Sequence, residues 1–301
     1  MLRDQIVQAA FRDAGLRLDR FLRDRFPGVP ARSVRFALDA GAVRVDGAIS
    51  PKGRVLRGGE TVSVAALAEK QDWLPVPGGL PGAGIAYEDG QVIVLCKPHD
   101  AHTEPQRPNE AQTLAGHLLQ LHPAVADISP VPGLTLLTRL DYATSGAVPA
   151  ALTEESFRFL RHEREMGKIR KTYLCLVEGE IRSPSTIAYV IDAEGGETVR
   201  VRTERVDPDP RRWTVLEPVR SAGGRTLARA TIARGKRHQI RAHLAAAGHP
   251  IVGDRKYSAV PPDGPGKGRL MLHAEEVEFR HPATGEPVTV RCPAPPEFPV
   301  S

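Results

Sequence analysis

Near the middle of the chain stands the octapeptide Arg139-Leu140-Asp141-Tyr142-Ala143-Thr144-Ser145-Gly146, in which an arginine and two hydroxyls flank a single carboxylate. Short, mostly apolar stretches border it, residues 134–137 before and residues 147–152 after, and such stretches form buried strands or strand ends. The octapeptide is therefore predicted to be a loop held by the core. Two interpretations stay open at this point: Asp141 belongs to a functional site, or the polar side chains and Gly146 simply shape a turn.

A second polar segment is Gly235-Lys236-Arg237-His238-Gln239-Ile240-Arg241-Ala242-His243-Leu244, followed by residues 248–254 and Tyr257. Because Ile240, Leu244 and Ala247 recur at helical spacing, this segment predicts a strand, a short amphipathic helix and a glycine-bounded turn. A guanidinium binds a carboxylate through two parallel hydrogen bonds, which a lysine cannot reproduce. We therefore expect Arg241 to reach a buried carboxylate.

A third segment, Lys171-Thr172-Tyr173-Leu174-Cys175-Leu176-Val177-Glu178-Gly179, alternates in the manner of a strand and carries one tyrosine. Tyr173 is either a stacking surface or ordinary core.

Taken together, the three segments resemble the RluA branch of the pseudouridine synthases, enzymes that isomerise uridine to pseudouridine in RNA. The signature of that family is His-Arg-Leu-Asp, two variable residues and Thr-Ser-Gly, and residues 138–146 match it except that Thr138 replaces the His. The late family motif Gly-Arg-Thr-His-Gln-Ile-Arg corresponds to residues 235–241, with Lys236 and Arg237 in place of Arg-Thr. Further matches are a Lys-x-Tyr segment within residues 168–179 and closing strands at residues 269–274 and 281–282, so the resemblance runs from about residue 84 to residue 299.

The resemblance implies a mechanism without a cofactor, in which the bond between the base and the ribose breaks, the base turns, and a ring carbon rejoins the ribose. It makes Asp141 the essential carboxylate, with attack on the base, attack on the ribose and proton abstraction from the sugar all left open. The implied partners of Asp141 are Arg241, which pairs with it, and Tyr173, which stacks on the target base. Arg139 would fill the space left by an extruded nucleotide. The remaining substrate contacts implied by the motifs are Thr144, His238, Gln239 and the apolar wall residue Leu272.

Several positions depart from the family pattern. Thr138, Lys236 and Arg237 do so within the motifs, and residues 99–104 after the Lys97-Pro98 step lack the usual glycine-rich continuation. These departures motivate an alternative, a non-catalytic RNA-binding protein that retains the synthase fold. A second alternative is an aspartate-based hydrolase that would release free uracil from RNA.

The N-terminal part has a different character. Apolar residues share one helical face in residues 16–26 and again in residues 31–40, and two alternating segments at residues 43–47 and 60–64 predict strands. Most of the net charge of +5 lies in the first 72 residues, with Arg32, Arg35, Arg44 and Arg54 around the turn from helix to strand. This pattern resembles the RNA-binding domain first known from ribosomal protein S-four, and it implies that Arg32, Arg35 and Arg44 contact RNA.

Prolines and glycines between residues 73 and 83 indicate a linker. We therefore predict a small α/β RNA-binding domain over residues 1–72 and a catalytic domain over residues 84–301. The expected fold class is α+β, with the pseudouridine synthase fold built on a mainly antiparallel mixed sheet.

Metal and cofactor sites are not expected. Ten histidines lack metal-site spacing, and three scattered cysteines, Cys96, Cys175 and Cys292, form no paired cluster and favour a reducing compartment. The sequence shows no signal peptide and no apolar run of membrane length. The expectation is a cytoplasmic, monomeric enzyme acting on structured RNA, with ribosomal RNA favoured over transfer RNA because of the added binding domain.

Overall fold

The structure is a computed structural model that describes residues 1–192, 196–258 and 268–298. The chain forms two compact units, which are treated separately below. The first comprises Met1–Val76 with Pro105–Ala111, and the second Pro77–Glu104 with Gln112–Ser301.

The N-terminal unit packs two helices against a small antiparallel sheet. Its helices are α1 (Leu18–Arg25) and α2 (Ala31–Asp39), and its strands are β1 (Leu2–Gln8), β2 (Val43–Val45), β3 (Ala48–Ile49) and β4 (Thr61–Leu67). The strand order is β1-β4-β2-β3. Both predicted helices are confirmed, because the apolar residues of α1 and α2 lie in one core with those of β2 and β4. Strand β1 was not predicted, since it buries little and is held mainly by its pairing with β4.

Trp73, which the sequence placed at the start of the linker, belongs to the N-terminal unit. Its indole Nε1 donates a hydrogen bond of 2.7 Å to Ser33 Oγ, and its ring contacts Phe36 edge-on. The guanidinium of Arg32 lies 4.1 Å from the centre of the same ring. This unit therefore continues past the proline-based boundary at residue 72, to Val76.

The larger unit is built on a nine-stranded sheet of order β5-β6-β7-β14-β8-β13-β12-β9, with β15 paired to β14. Its strands are β5 (Gly84–Glu88), β6 (Val92–Lys97), β7 (Ser145–Ala151), β8 (Arg170–Glu178), β9 (Ser185–Ile187), β12 (Thr214–Ala222), β13 (Arg225–Ile232), β14 (Leu272–Arg280) and β15 (Pro287–Arg291). A separate two-stranded ribbon is formed by β10 (Tyr189–Asp192) and β11 (Arg200–Val206). The helices are α3 (Leu114–Leu121), α4 (Val125–Ile128), α5 (Glu154–Glu165) and α6 (Gln239–Ala246).

The pairing of the sheet confirms the expected fold class, α+β with a mainly antiparallel mixed sheet. Among the described strands, β7 and β14 run parallel, and the other pairs are antiparallel. The charge-rich segments at residues 187–192 and 196–229 contribute most of β10 to β13, because many of their charged side chains lie on exposed strand faces.

Apolar clusters lie on both faces of the sheet. Along β6, Ile93 and Leu95 join one apolar cluster and Val92 and Val94 another, as the alternation of side chains in a strand requires. Helices α3 and α6 contribute to the first cluster and α5 to the second. The loop that carries Asp141 enters this sheet at the start of β7.

Gly146 is required where that loop becomes β7. It has a φ of +118°, and a Cβ at this position would lie 2.2 Å from the carbonyl oxygen of Ala274 on β14. The positive φ favours glycine, and the absence of a Cβ allows the close approach that joins the Asp141 loop to the centre of the sheet.

The cysteines differ from the expectation. Cys96 on β6 and Cys292 after β15 form a disulfide, with Cα atoms 5.8 Å apart, whereas Cys175 is a buried free thiol. The prediction of three unpaired cysteines was wrong, because the pairing joins residues far apart in sequence. In the described residues no helix is long and apolar enough to span a membrane.

Candidate active site

Asp141 lies on a short loop directly before β7. The backbone carbonyl of Asp141 accepts a 3.0 Å hydrogen bond from the N–H of Thr144, which closes the turn. Its side chain is 27% exposed, so the carboxylate is open to a ligand on one side and held by the protein on the other.

Arg241 holds Asp141 from α6. Its Nη1 donates to Asp141 Oδ2 at 2.7 Å, while its Nε and Nη2 each donate at 2.8 Å to the two carboxylate oxygens of Asp254. The expectation that Arg241 reaches a buried carboxylate is confirmed by Asp254, which is fully buried, and Arg241 also holds the partly exposed Asp141.

Nothing in the local sequence assigned a role to Asp254. Its carboxylate also accepts hydrogen bonds from the backbone N–H groups of Lys256 and Tyr257, so the turn after Gly253 is built around it. Burial by itself would raise the pKa of Asp254, but the hydrogen bonds from Arg241 outweigh it and hold that pKa below its usual value. Burial by itself would lower the pKa of Arg241, but the hydrogen bond to Asp254 outweighs burial and raises that pKa above its usual value. Arg241 is therefore a permanent cation in a fixed orientation.

His238 also lies near the Asp141 carboxylate. Its Nε2 lies 3.9 Å from Asp141 Oδ2, and its Nδ1 is hydrogen-bonded to the hydroxyl of Tyr257 at 2.9 Å. Burial lowers the pKa of His238, an effect that the nearby Asp141 only partly opposes. The residue also has a φ of +55°, which orients the ring at the start of α6.

Tyr173 and two aliphatic residues form the apolar side of the site. Tyr173 pairs with Ala274 across β8 and β14, and it lies in one buried cluster with Ile240 and Leu272. Burial raises the pKa of Tyr173 strongly, and the charge of Asp141 adds to that shift, so the tyrosine is a neutral ring close to the carboxylate. Leu272 is buried, as expected of an apolar wall.

The other motif residues have separate surroundings. Arg139 is exposed and pairs with Glu104. Thr144 is buried, and its Oγ1 has no hydrogen-bond partner in the part of the chain that the structure describes. Gln239 does not face Asp141: its amide nitrogen donates to the carbonyl of Arg212 at 2.8 Å and its oxygen accepts from the N–H of Lys236. Its buried amide is therefore placed to anchor the start of α6 and not to hold substrate.

The positions that depart from the family motif lie away from the carboxylate. Lys236 Nζ donates to the carbonyl of Ile191 at 2.9 Å, and Arg237 Nη2 donates to the carbonyls of Gly196 and Glu197. These two residues thus fasten the ribbon of β10 and β11 to the segment that precedes α6. Thr138 is half-buried, with no hydrogen bond to its Oγ1 from any residue that the structure describes.

Three N-terminal arginines that were expected to bind RNA lie on the exposed surface of the N-terminal unit. Arg32 and Arg35 are on α2, and Arg44 on β2 donates to the carbonyl of Gly47 at 3.0 Å. Arg32 stacks on Trp73, as described above.

Chemically, the site offers one solvent-accessible carboxylate with a fixed counter-ion, a neutral imidazole and a neutral aromatic ring. Such a carboxylate can act as a nucleophile or as a general base. Within residues 1–192, 196–258 and 268–298, no group of three or more His, Cys, Asp or Glu side chains is arranged to hold a metal ion.

Comparison with known proteins identifies the family of the chain. A family model described as RNA pseudouridylate synthase matches residues 91–246, which include Asp141, Tyr173 and Arg241. The chain belongs to the RNA pseudouridylate synthases, in their RluA branch. It is an RNA pseudouridine synthase, an isomerase.

Relatives of similar length and a solved structure support the assignment. The chain is 30% identical to ribosomal large subunit pseudouridine synthase D of Xanthomonas campestris over 94% of its own length and 86% of that protein. It is 32% identical to ribosomal large subunit pseudouridine synthase C of Escherichia coli over 96% of its own length and 92% of that protein. The fold is similar to that of human RNA pseudouridylate synthase domain containing 1, with a TM-score of 0.54 and 24% identity over 73% of this chain and 86% of that one.

Proposed function

We propose that the protein converts specific uridines of ribosomal RNA to pseudouridine, with Asp141 as the essential group acting on a nucleotide extruded from the RNA. The observation that carries the role of Asp141 is its geometry: a carboxylate that is 27% exposed and yet fixed at 2.7 Å by an arginine that a second, buried carboxylate orients. Ribosomal RNA is the substrate named for the relatives of similar length, which supports the same substrate class here.

The reaction is a balanced rearrangement. The bond between the ring nitrogen and the ribose breaks, a bond between a ring carbon and the ribose forms, and the proton lost from that carbon is matched by one gained at the nitrogen. Asp141 acts as nucleophile or as base, and either course begins from the same ionised carboxylate. Arg241 keeps that carboxylate in place throughout.

Extrusion of the target nucleotide follows from the position of the carboxylate. Asp141 lies just before β7, held by the buried Arg241 and close to the buried ring of Tyr173, so a base still stacked in RNA would not bring its glycosidic bond there. In this proposal Tyr173 stacks on the extruded base and exposed Arg139 occupies the vacated space in the RNA. Arg139 must then exchange its partner Glu104 for RNA.

The N-terminal unit is proposed to bind the RNA backbone. Arg32, Arg35 and Arg44 lie exposed on one helix and the adjoining strand, an arrangement suited to phosphate contacts. These contacts would position the RNA and leave the choice of uridine to the catalytic unit.

The test is a site-by-site map of pseudouridine in cellular RNA from cells with the protein, without it, and with Asp141→Asn. We expect a ribosomal RNA site to disappear in both altered strains, while circular dichroism shows that the variant is folded. Loss of a transfer RNA site instead would replace the substrate class, and free uracil in the purified reaction would indicate hydrolysis. A map that Asp141→Asn leaves intact would refute the role of Asp141.

A further inference from the structure

Two aromatic side chains lie together, and one of them belongs to Tyr142, the residue that follows Asp141 in the chain. The ring of Tyr142 is 4.7 Å from that of His102, centre to centre, with a tilt of 56°. Tyr142 is 50% exposed, which is unusual for a large ring next to a catalytic group, and His102 is half-buried. The pair is called the aromatic platform below.

A buried lysine fixes the backbone beneath this platform. Lys97 is 2% exposed, and its Nζ donates to the carbonyls of Pro98 at 2.8 Å, Ala101 at 2.7 Å and Tyr142 at 3.2 Å. Since Ala101 precedes His102, a single ammonium holds the main chain at both rings. Burying such a group is costly unless its donors are satisfied, and here all three donors are used.

A second set of hydrogen bonds joins the same two segments. The Oγ1 of Thr103 donates to the carbonyl of Leu140 at 2.8 Å and accepts from the N–H of Leu140 at 3.1 Å. The N–H of Ala101 donates to the carbonyl of Tyr142 at 3.2 Å. Residues 101–103 and 140–142 are therefore locked side by side, and an exposed ring stands on a rigid, buried polar support.

The chemistry of the platform fits a nucleobase better than a phosphate. The amino group of Lys97 beneath the platform donates to main-chain carbonyls and does not face a phosphate, whereas an aromatic face accepts any base. The Cα of Tyr142 is about 3.8 Å from that of Asp141, the spacing of neighbouring residues. A nucleotide adjacent in the RNA to the one at Asp141 is thus within reach of the ring.

We propose that Tyr142 and His102 form a stacking site for the base of a nucleotide next to the target uridine. The proposal rests on the proposed function, in which the target itself lies at Asp141. Tyr142 and His102 then help to determine which sequence context is modified, through the stacking strength of the neighbouring base.

The experiment removes the base and the ring in turn. Short RNAs spanning the mapped uridine are made intact, with an abasic ribose on the 5′ side of the uridine, and with an abasic ribose on the 3′ side. Initial rates of pseudouridine formation give kcat and KM for the wild type, Tyr142→Ala and Tyr142→Phe. Met166→Ala, which alters an exposed side chain at the end of α5, serves as the control and is expected to match the wild type.

We expect Tyr142→Ala to raise KM for intact RNA about tenfold with little change in kcat, which is the signature of lost ground-state binding. For the wild type, one of the two abasic RNAs should raise KM by a similar factor relative to intact RNA. For Tyr142→Ala, the same abasic RNA should leave KM almost unchanged. Tyr142→Phe keeps the ring and should retain the dependence on that base.

The proposal would be overturned if Tyr142→Ala and the missing base raised KM by independent factors that multiply, for both abasic RNAs. The proposed function would then remain intact. Wild-type protein that forms no pseudouridine in the intact RNA would instead refute the proposed function. Equal losses in Tyr142→Ala and Tyr142→Phe would show that the hydroxyl, and not stacking, is what matters, and would also overturn the proposal.

Discussion

Replacement of Asp254 by Asn tests whether the orientation of Arg241 supports catalysis. Asp254 Oδ1 accepts from Arg241 Nη2 and from the backbone N–H groups of Lys256 and Tyr257, so the oxygen of the new amide must take that position. The amide NH₂ would then face Arg241 Nε across the 2.8 Å now spanned by a hydrogen bond. One charge-assisted hydrogen bond becomes a repulsive contact between two donors, and a buried arginine loses one of its two counter-ions.

The magnitude follows from these losses. A hydrogen bond to a charged group contributes about 1.5–3 kcal/mol, and removing one partner of a buried ion pair costs about 3–5 kcal/mol. The new amide would retain the contacts of Oδ1, and Arg241 would retain Asp141. We therefore expect Asp254→Asn to lower the free energy of unfolding by about 3 kcal/mol, the lower end of the range for a buried ion pair. A displacement of Arg241 by about 1 Å would carry Asp141 with it and lower kcat about a hundredfold, with a small change in KM.

The assay separates the larger unit from the N-terminal one. The chain has two tryptophans, so in a Trp73→Phe background Trp213 alone reports unfolding of the larger unit in urea. Activity is followed by release of tritium from RNA whose uridines carry the label on the ring carbon that joins the ribose.

Asp192→Asn provides the matched control, because it makes the same change in the more exposed pair of Asp192 and Arg202 and should leave stability close to that of the wild type. If Asp254→Asn proves no less stable and no less active than Asp192→Asn, the view that Asp254 positions Arg241 is refuted.

Three further outcomes are expected. Tyr173→Leu should lower kcat/KM about tenfold to a hundredfold through loss of stacking, whereas Tyr173→Phe should stay within a few-fold of wild type; equal losses would contradict the stacking role. Burial lowers the pKa of Lys97 to about 7. Between pH 7 and about 10.5 the unfolded chain therefore binds more protons than the folded one. Folding stability should rise with pH in that window, by up to about 1.4 kcal/mol per pH unit. In urea titrations Lys97→Met should remove that part of the slope, and an unchanged slope would show that Lys97 does not titrate there. Replacing Arg32, Arg35 and Arg44 with Gln should flatten the slope of log affinity for RNA against log salt concentration. The slope should change by about 0.7–0.9 for each phosphate that the protein no longer neutralises. An unaltered slope in a filter-binding titration would show that these arginines are not in the interface.

The residues nearest the chemistry could be predicted because their identities and spacing are local. Asp141 and Arg241 were singled out from their flanking sequence, and the ion pair between them is confirmed at 2.7 Å. Helix α6 was likewise expected from apolar spacing, since Ile240 and Leu244 had to share a buried face.

Partners that meet only through the fold were not predictable in this way. Asp254 gave no local signal beyond a carboxylate after a glycine, and the aromatic platform depends on hydrogen bonds between residues 101–103 and 140–142. Gln239 also forms contacts that the motif did not indicate, because its amide holds the start of α6 to Arg212 and Lys236.

The fold class, the family and the identity of the central carboxylate could all be obtained from the amino-acid sequence, because periodicity and motif spacing are properties of neighbouring residues. The groups that surround that carboxylate depend instead on the tertiary structure. Strand β14 pairs with β7 in parallel, which is possible because Gly146 lacks a Cβ, and it also pairs with β8. These two pairings bring the Asp141 loop and Tyr173 together. The bidentate contact of Asp254 then turns Arg241 toward Asp141, and no local pattern around Asp254 indicates this contact, since it depends on how the turn after Gly253 packs against α6.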